Sequence, residues 1–231
     1  MTDLFSKIKE VTEIPAISGH EAPVRDYLRQ QLTPHVDEIV TDGLGGIFGV
    51  KHSTAADAPR ILVAAHMDEV GLMVTYISEE GFLSVAAVGG VDAAILPGMR
   101  VDVHTKQGTL RGVVGRKPIH LISPDERKNV TALDDLVIDL GMSAKHVKKA
   151  VSIGDVITYG GGFEDFGDGM AVSRGFDDKM GVYIAVRVLE ELAKAGGASG
   201  DYICAATVQE EIGLRGGTTS AYGAVSYTHL T

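Results

Sequence analysis

Residues 61–68 read Ile61-Leu62-Val63-Ala64-Ala65-His66-Met67-Asp68, and this stretch decides how the rest of the chain is understood. Its first five residues form an unbroken apolar run, the pattern expected of a strand buried on both faces. The run ends directly in a histidine and, two residues on, an aspartate. Polar side chains in that position sit at the rim of a sheet, where they cost little in folding. In open α/β sheets the crevice outside the carboxyl ends of the strands is where sites form. The stretch therefore predicts an α/β sheet with a candidate site at its rim.

The same pattern recurs downstream, where the apolar run 202–208 ends in Gln209-Glu210-Glu211. Before it, residues 180–194 read as a helix: Val182, Ala185, Val186, Leu189 and Leu192 form an apolar stripe, Glu190 sits four residues before Lys194, and Gly196-Gly197 ends the pattern. Upstream, Leu4, Phe5, Ile8 and Val11 share one face of a helix starting near Asp3. Ser18 with Glu21 three residues on is a capping-box signature for a second helix, with Val24, Tyr27, Leu28 and Leu32 on its apolar face. Strand-like runs follow at 38–41 and 46–51.

From Val70 to about Met170 the texture changes to short alternating strands broken at Glu80-Gly81, Gly89-Gly90, Gln107-Gly108 and Gly160-Gly161-Gly162. This predicts a small, mostly antiparallel β domain inserted into the α/β domain. The expected partition is 1–69 for the first part of the α/β domain, 70–170 for the insertion, 171–223 for the second part, and an atypical tail at 224–231.

At 231 residues the chain can hold one core with a smaller inserted domain. Its net charge of −10 is spread without a basic block, which makes nucleic acid and anionic membrane surfaces poor partners. The single cysteine, Cys204, excludes an intrachain disulfide framework; its apolar surroundings predict a buried thiol and a reducing, cytoplasmic setting. The first ten residues lack the apolar stretch of a signal peptide. No apolar run approaches the roughly 18 residues of a membrane span.

Three clusters carry candidate chemistry. In His66-x-Asp68 the imidazole suits a metal and a nearby carboxylate can fix its tautomer, although a histidine and an aspartate solvating a strand end is the plainer account. Asp177-Asp178 reads either as the N-cap of the following helix or as a metal-bridging carboxylate with a neighbour that supports the backbone. Arg174 and Lys179 flank that pair and offer cations to it. Glu210 and Glu211 repel one another unless something positive lies near. A metal would supply that charge, leaving one glutamate as ligand and the other as general base, whereas two solvated loop glutamates need neither. Gly213, Gly216 and Gly217 permit a tight turn or a close approach.

Taken together, AHMDEVGLMV (65–74), SRGFDDKMGVY (173–183) and TVQEEIGLRGG (207–217) resemble the signature segments of the family 42 metallopeptidases, the glutamyl, deblocking and tetrahedral aminopeptidases. The resemblance runs from the first helix to about Gly223 and includes Lys117-Pro118-Ile119-His120 in the insertion. It implies a phosphorylase/hydrolase-like α/β catalytic domain interrupted by a small β-barrel through which subunits assemble, commonly into dodecamers. It also implies two divalent metal ions, zinc or cobalt, with His66 on one, Asp177 bridging both and Glu211 on the other. Glu210 would be the general base or acid and Asp68 the carboxylate that orients His66. The implied reaction is removal of N-terminal residues from peptide substrates. An N-acyl amide hydrolase of the same fold and a non-catalytic assembly module are the alternatives.

Members of that family continue for about another hundred residues, supplying an aspartate and a histidine ligand. Here the resemblance stops near Gly223, and the tail from Ala224 to Thr231 departs from it, with His229 as a possible substitute ligand. The expectation is therefore a chain that lacks part of its metal site, binds metal weakly and turns over little substrate.

Overall fold

The computed structural model describes residues 3–223 except 56, 124, 126 and 127; the tail at 224–231 lies outside the described residues. In chain order the elements are α1 (Asp3–Glu13), α2 (Ala22–Leu32), β1 (Glu38–Thr41), β2 (Ile47–Lys51), β3 (Arg60–His66), β4 (Gly71–Ile77), β5 (Leu83–Val88), β6 (Arg100–Thr105) and β7 (Gly108–Arg116). They continue with β8 (Leu136–Asp139), α3 (Ala144–Ala150), β9 (Val156–Tyr159), β10 (Glu164–Gly167), β11 (Met170–Val172), α4 (Phe176–Lys194), β12 (Asp201–Thr207) and α5 (Arg215–Gly223). Two compact units result: the described residues up to Glu69 with those from Gly162 on, and Val70–Gly161. The antiparallel hairpin β10–β11 belongs to the first unit.

The first unit is built on a four-stranded sheet of order β1-β2-β12-β3. β12 runs antiparallel to β2 and parallel to β3, in a register that sets Asp201 beside Arg60 and Thr207 beside His66. The Met67 N–H extends the pairing by one bond to the Thr207 carbonyl, at 2.8 Å. This parallel register delivers the chain after His66 and the chain after Thr207 to the same rim of the sheet.

Alternation along β12 divides its side chains between two cores, as the pleat requires. Tyr202, Cys204 and Ala206 pack with Leu28, Leu32, Val182, Ala185 and Leu189 from α2 and α4, while Ile203 and Ala205 pack with Phe48 on the other face. Cys204 is buried, as its context predicts, and burial pushes its thiol up to about 12. The expectation that β3 is buried on both faces is corrected. Ile61 is 52% exposed, and β3 closes the described sheet while β12 occupies its interior. Both strands have an apolar run of five residues between polar ends; pairing, which is non-local, decides which of them is covered among the described residues.

The helices follow their apolar stripes, but the N-terminus of α2 differs from expectation. α2 begins at Ala22 with Glu21 as its N-cap and no side-chain cap bond. The Ser18 hydroxyl instead donates to Asp68 Oδ2 at 2.5 Å, and Glu21 Oε1 accepts the N–H groups of Gly19 and Gln209, so the capping box does not form. At the start of α4, Asp177 and Asp178 have non-helical dihedrals and are joined by a cis peptide bond. Asp178 Oδ1 accepts the Gly181 N–H at 3.1 Å, an N-cap bond that opens the regular part of the helix. Asp177 is thereby left outside the helical ladder.

The second unit is a closed antiparallel barrel of order β4-β5-β8-β7-β6-β9. Leu72, Val74, Leu83, Val101, Val103, Val114, Ile138 and Ile157 fill it, with Val147 of α3 in the same core. Closure satisfies the strand edges, which explains why so turn-rich a segment needs no flanking sheet. Among the described residues no helix is long and apolar enough to cross a membrane.

Candidate metal centre

His66 ends β3 and is 8% exposed. Its Nδ1 lies 3.0 Å from the Asp68 carbonyl oxygen, while its Nε2 lies 3.1 Å from Asp177 Oδ1 and 3.8 Å from Glu210 Oε2. One ring nitrogen is thus occupied by the chain itself and the other faces carboxylates. The Asp68 carboxylate, fully buried, approaches Nδ1 only to 3.5 Å. It spends its acceptor capacity on the Ser18 hydroxyl and on the N–H groups of Glu210 and Glu211, at 3.0 and 3.1 Å. Burial works to raise its pKa, but His66, Ser18 and the two backbone donors together hold Asp68 below the usual carboxylate range.

The same geometry acts on its neighbours. Burial alone would lower the His66 pKa, yet the Asp68 carboxylate and carbonyl and the Glu210 carboxylate raise it to about 9. Glu211 is pushed up by burial and by Asp177, Glu210 and Asp68, against the opposing pull of His66. Acids crowded this closely around an imidazole form a site that draws positive charge. His66, Glu210 and Glu211 can each present a ligand atom with all three within 4.8 Å of one another. Imidazole nitrogen with carboxylate oxygen is a donor set suited to zinc and neighbouring divalent metals. The residues fit such an ion.

The structure therefore brings together His66, Asp68, Asp177, Glu210 and Glu211, all five residues singled out in the sequence. It adds a geometric point: Glu210 stands within the donor group beside Glu211, and the Asp177 side chain, 85% exposed, touches His66 Nε2 from the open side.

Arg174 and Lys179 do not pair with Asp177 or Asp178, as their flanking positions suggested. Both turn toward Glu69, whose Oε1 accepts from Arg174 Nη1 at 2.5 Å, Lys179 Nζ at 2.8 Å and the Ala16 N–H at 3.1 Å. The cations also donate to the carbonyls of Glu13 and Ile14. Lys179 is wholly buried and Glu69 is 4% exposed. Burial alone would raise the Glu69 pKa, but Lys179 and Arg174 outweigh it and hold the carboxylate below the usual range. Nothing in the sequence distinguished Glu69 from a rim glutamate. The burial of Lys179 within the first turn of α4 is what separates the cations from the site acids.

The turn after Glu211 explains one of its glycines. Gly216 donates its N–H to the Val208 carbonyl, and a Cβ there would collide with the backbone of Val208.

The first unit thus carries this donor group at its sheet rim, and the barrel is inserted in its sequence. The chain belongs to the M42 glutamyl aminopeptidase family, whose sequence model matches residues 45–228. It is 37% identical to the glutamyl aminopeptidase of Lactococcus lactis subsp. cremoris over 94% of this chain and 62% of that protein. Its fold is similar to the TET aminopeptidase from a marine sediment archaeon of the Thaumarchaeota, with a TM-score of 0.89 and 34% identity over 96% of this chain and 63% of that one. It is also similar to the Pyrococcus horikoshii TET1 peptidase, which can assemble into a tetrahedron or a large octahedral shell, with a TM-score of 0.84 and 33% identity over 96% of this chain and 66% of that one. The chain spans less than two thirds of the length of each of these relatives.

Proposed function

We propose that the first unit carries the metal centre of an aminopeptidase that removes N-terminal residues from peptides. The observation that supports it best is the convergence of His66, Asp177, Glu210 and Glu211 from three separated segments at one sheet rim. In this reading His66, Asp177 and Glu211 would hold two divalent ions. Such ions supply Lewis acidity toward a carbonyl and a water of lowered pKa. The Asp68 carbonyl holds the imidazole by Nδ1 so that Nε2 faces the site. Glu210 accepts a proton from the attacking water and returns it to the leaving amine. Zinc or cobalt suits the donors, and the single buried cysteine is consistent with work in the cytoplasm.

On this assignment each ion has two protein ligands among the described residues, where catalytic zinc commonly has three. The chain by itself is therefore expected to hold metal weakly and to show little turnover. Fusing the C-terminal part of the Lactococcus relative after Gly223 should raise both. Elemental analysis with zinc, cobalt or manganese, and assays on aminoacyl-nitroanilides beside N-acetylated analogues, check this. Preference for the acetylated series would assign the site to an N-acyl hydrolase, and a fusion without bound metal would remove the metal-centre reading.

The barrel is proposed as the assembly surface. Apolar side chains on its exterior support this: Ile95, Ile119, Leu121, Val130 and Ile153 are all more than half exposed. Residues 70–161 expressed alone should sediment as a folded oligomer; a folded monomer would count against the assembly role.

A further inference from the structure

Three consecutive backbone N–H groups after β12 are taken up by two carboxylates from elsewhere in the first unit. Gln209 donates to Glu21 Oε1 at 3.1 Å, while Glu210 and Glu211 donate to Asp68 Oδ1 and Oδ2 at 3.0 and 3.1 Å. Successive N–H groups arranged in this way form an anion-binding concavity, and here the protein fills it from within. Gln209 holds the concavity in a left-handed conformation, with φ at 55°. That is uncommon for a residue with a Cβ and persists only where surrounding bonds over-determine it. Glu21 supplies such a bond. It is 4% exposed, and the same Oε1 accepts the Gly19 N–H at 2.8 Å, which ties it to the turn that brings Ser18 to Asp68.

We propose that Glu21 is a positioning residue: by accepting the Gln209 N–H it sets the backbone from which Glu210 and Glu211 project, and with it the placement of their carboxylates around His66 Nε2. The proposal rests on the reading of these side chains as metal donors. Glu210 Oε2 lies 3.8 Å from Nε2, and the donor atoms of all three residues fall within 4.8 Å. A small rotation about Gln209 would spread them. Both bonds to Glu21 need an acceptor oxygen at Oε1 and neither requires a charge, so glutamine can replace it and alanine cannot.

The wild-type chain, Glu21→Ala and Glu21→Gln are compared by hydrogen exchange across residues 200–212, by calorimetric titration with zinc alone, and by thermal unfolding. In Glu21→Ala the amides of 209–211 should exchange about tenfold faster relative to β12, and zinc should bind about 10-fold or more weakly, the usual effect of losing a group that orients a ligand. Glu21→Gln should stay within about threefold of wild type on both measures. A merely structural role would lower the unfolding temperature while 209–211 and β12 exchange faster in parallel, and that result overturns the proposal. So does a glutamine variant that behaves like alanine. If the wild-type chain takes up no measurable zinc, as two protein ligands per ion allow, exchange alone decides positioning. Selective acceleration in the alanine variant and not in the glutamine variant upholds it; any other pattern overturns it.

Discussion

Glu69→Ala is expected to destabilise the folded chain by about 3–5 kcal/mol, because it leaves buried cations without their counter-charge. One oxygen of Glu69 accepts from Arg174, Lys179 and the Ala16 N–H, and the cations reach on to the carbonyls of Glu13, the last residue of α1, and Ile14 just after it. Glu69, Lys179 and Ala16 therefore join three stretches of chain in a buried region. Urea denaturation should show the transition midpoint falling sharply, with Glu69→Gln in between, since it keeps the acceptor and loses the charge. A loss below about 1 kcal/mol would mean that the network contributes no more than a surface pair.

The same bond has a pH signature. The folded-state pKa of Glu69 is held below its ordinary value of 4.5, so its contribution is fully present above that value and is lost as pH falls through the lower folded one. The stability difference between wild type and Glu69→Ala should therefore shrink in acid.

Glu210→Gln, made in the fusion that carries the relative's C-terminal part, is expected to reduce kcat by about 100- to 10,000-fold while metal content is unchanged, because glutamine keeps the size of the side chain and cannot accept the proton. The geometry makes the metal measurement as informative as the rate. Glu210 stands in the same donor group as His66 and Glu211. Activity and metal lost together would make Glu210 a ligand and return the base assignment to Glu211 or Asp177. More than a tenth of wild-type turnover with normal metal content would remove Glu210 from proton transfer altogether.

Where burial imposes a period or a charge pattern carries a cost, the residues alone are informative. The stripe from Val182 to Leu189 places α4, the alternating strands broken by glycine turns announce a small antiparallel β unit, and two adjacent glutamates after an apolar strand mark the rim. These are local consequences of one helix turn, one pleat or one repulsion, and each is legible within a dozen residues. What only the tertiary structure decided depends on partners far along the chain. β3 and β12 are equally apolar, and among the described residues the pairing order places β12 inside and β3, with Ile61 exposed, at the edge. Ser18 and Glu21 match a capping box, but Asp68 and Gln209, 50 and 188 residues away, offer better partners than the helix end does. Arg174 and Lys179 stand beside two aspartates in the sequence and bond to Glu69 in the fold, because a buried cation must find a buried anion, and Asp177 remains at the surface.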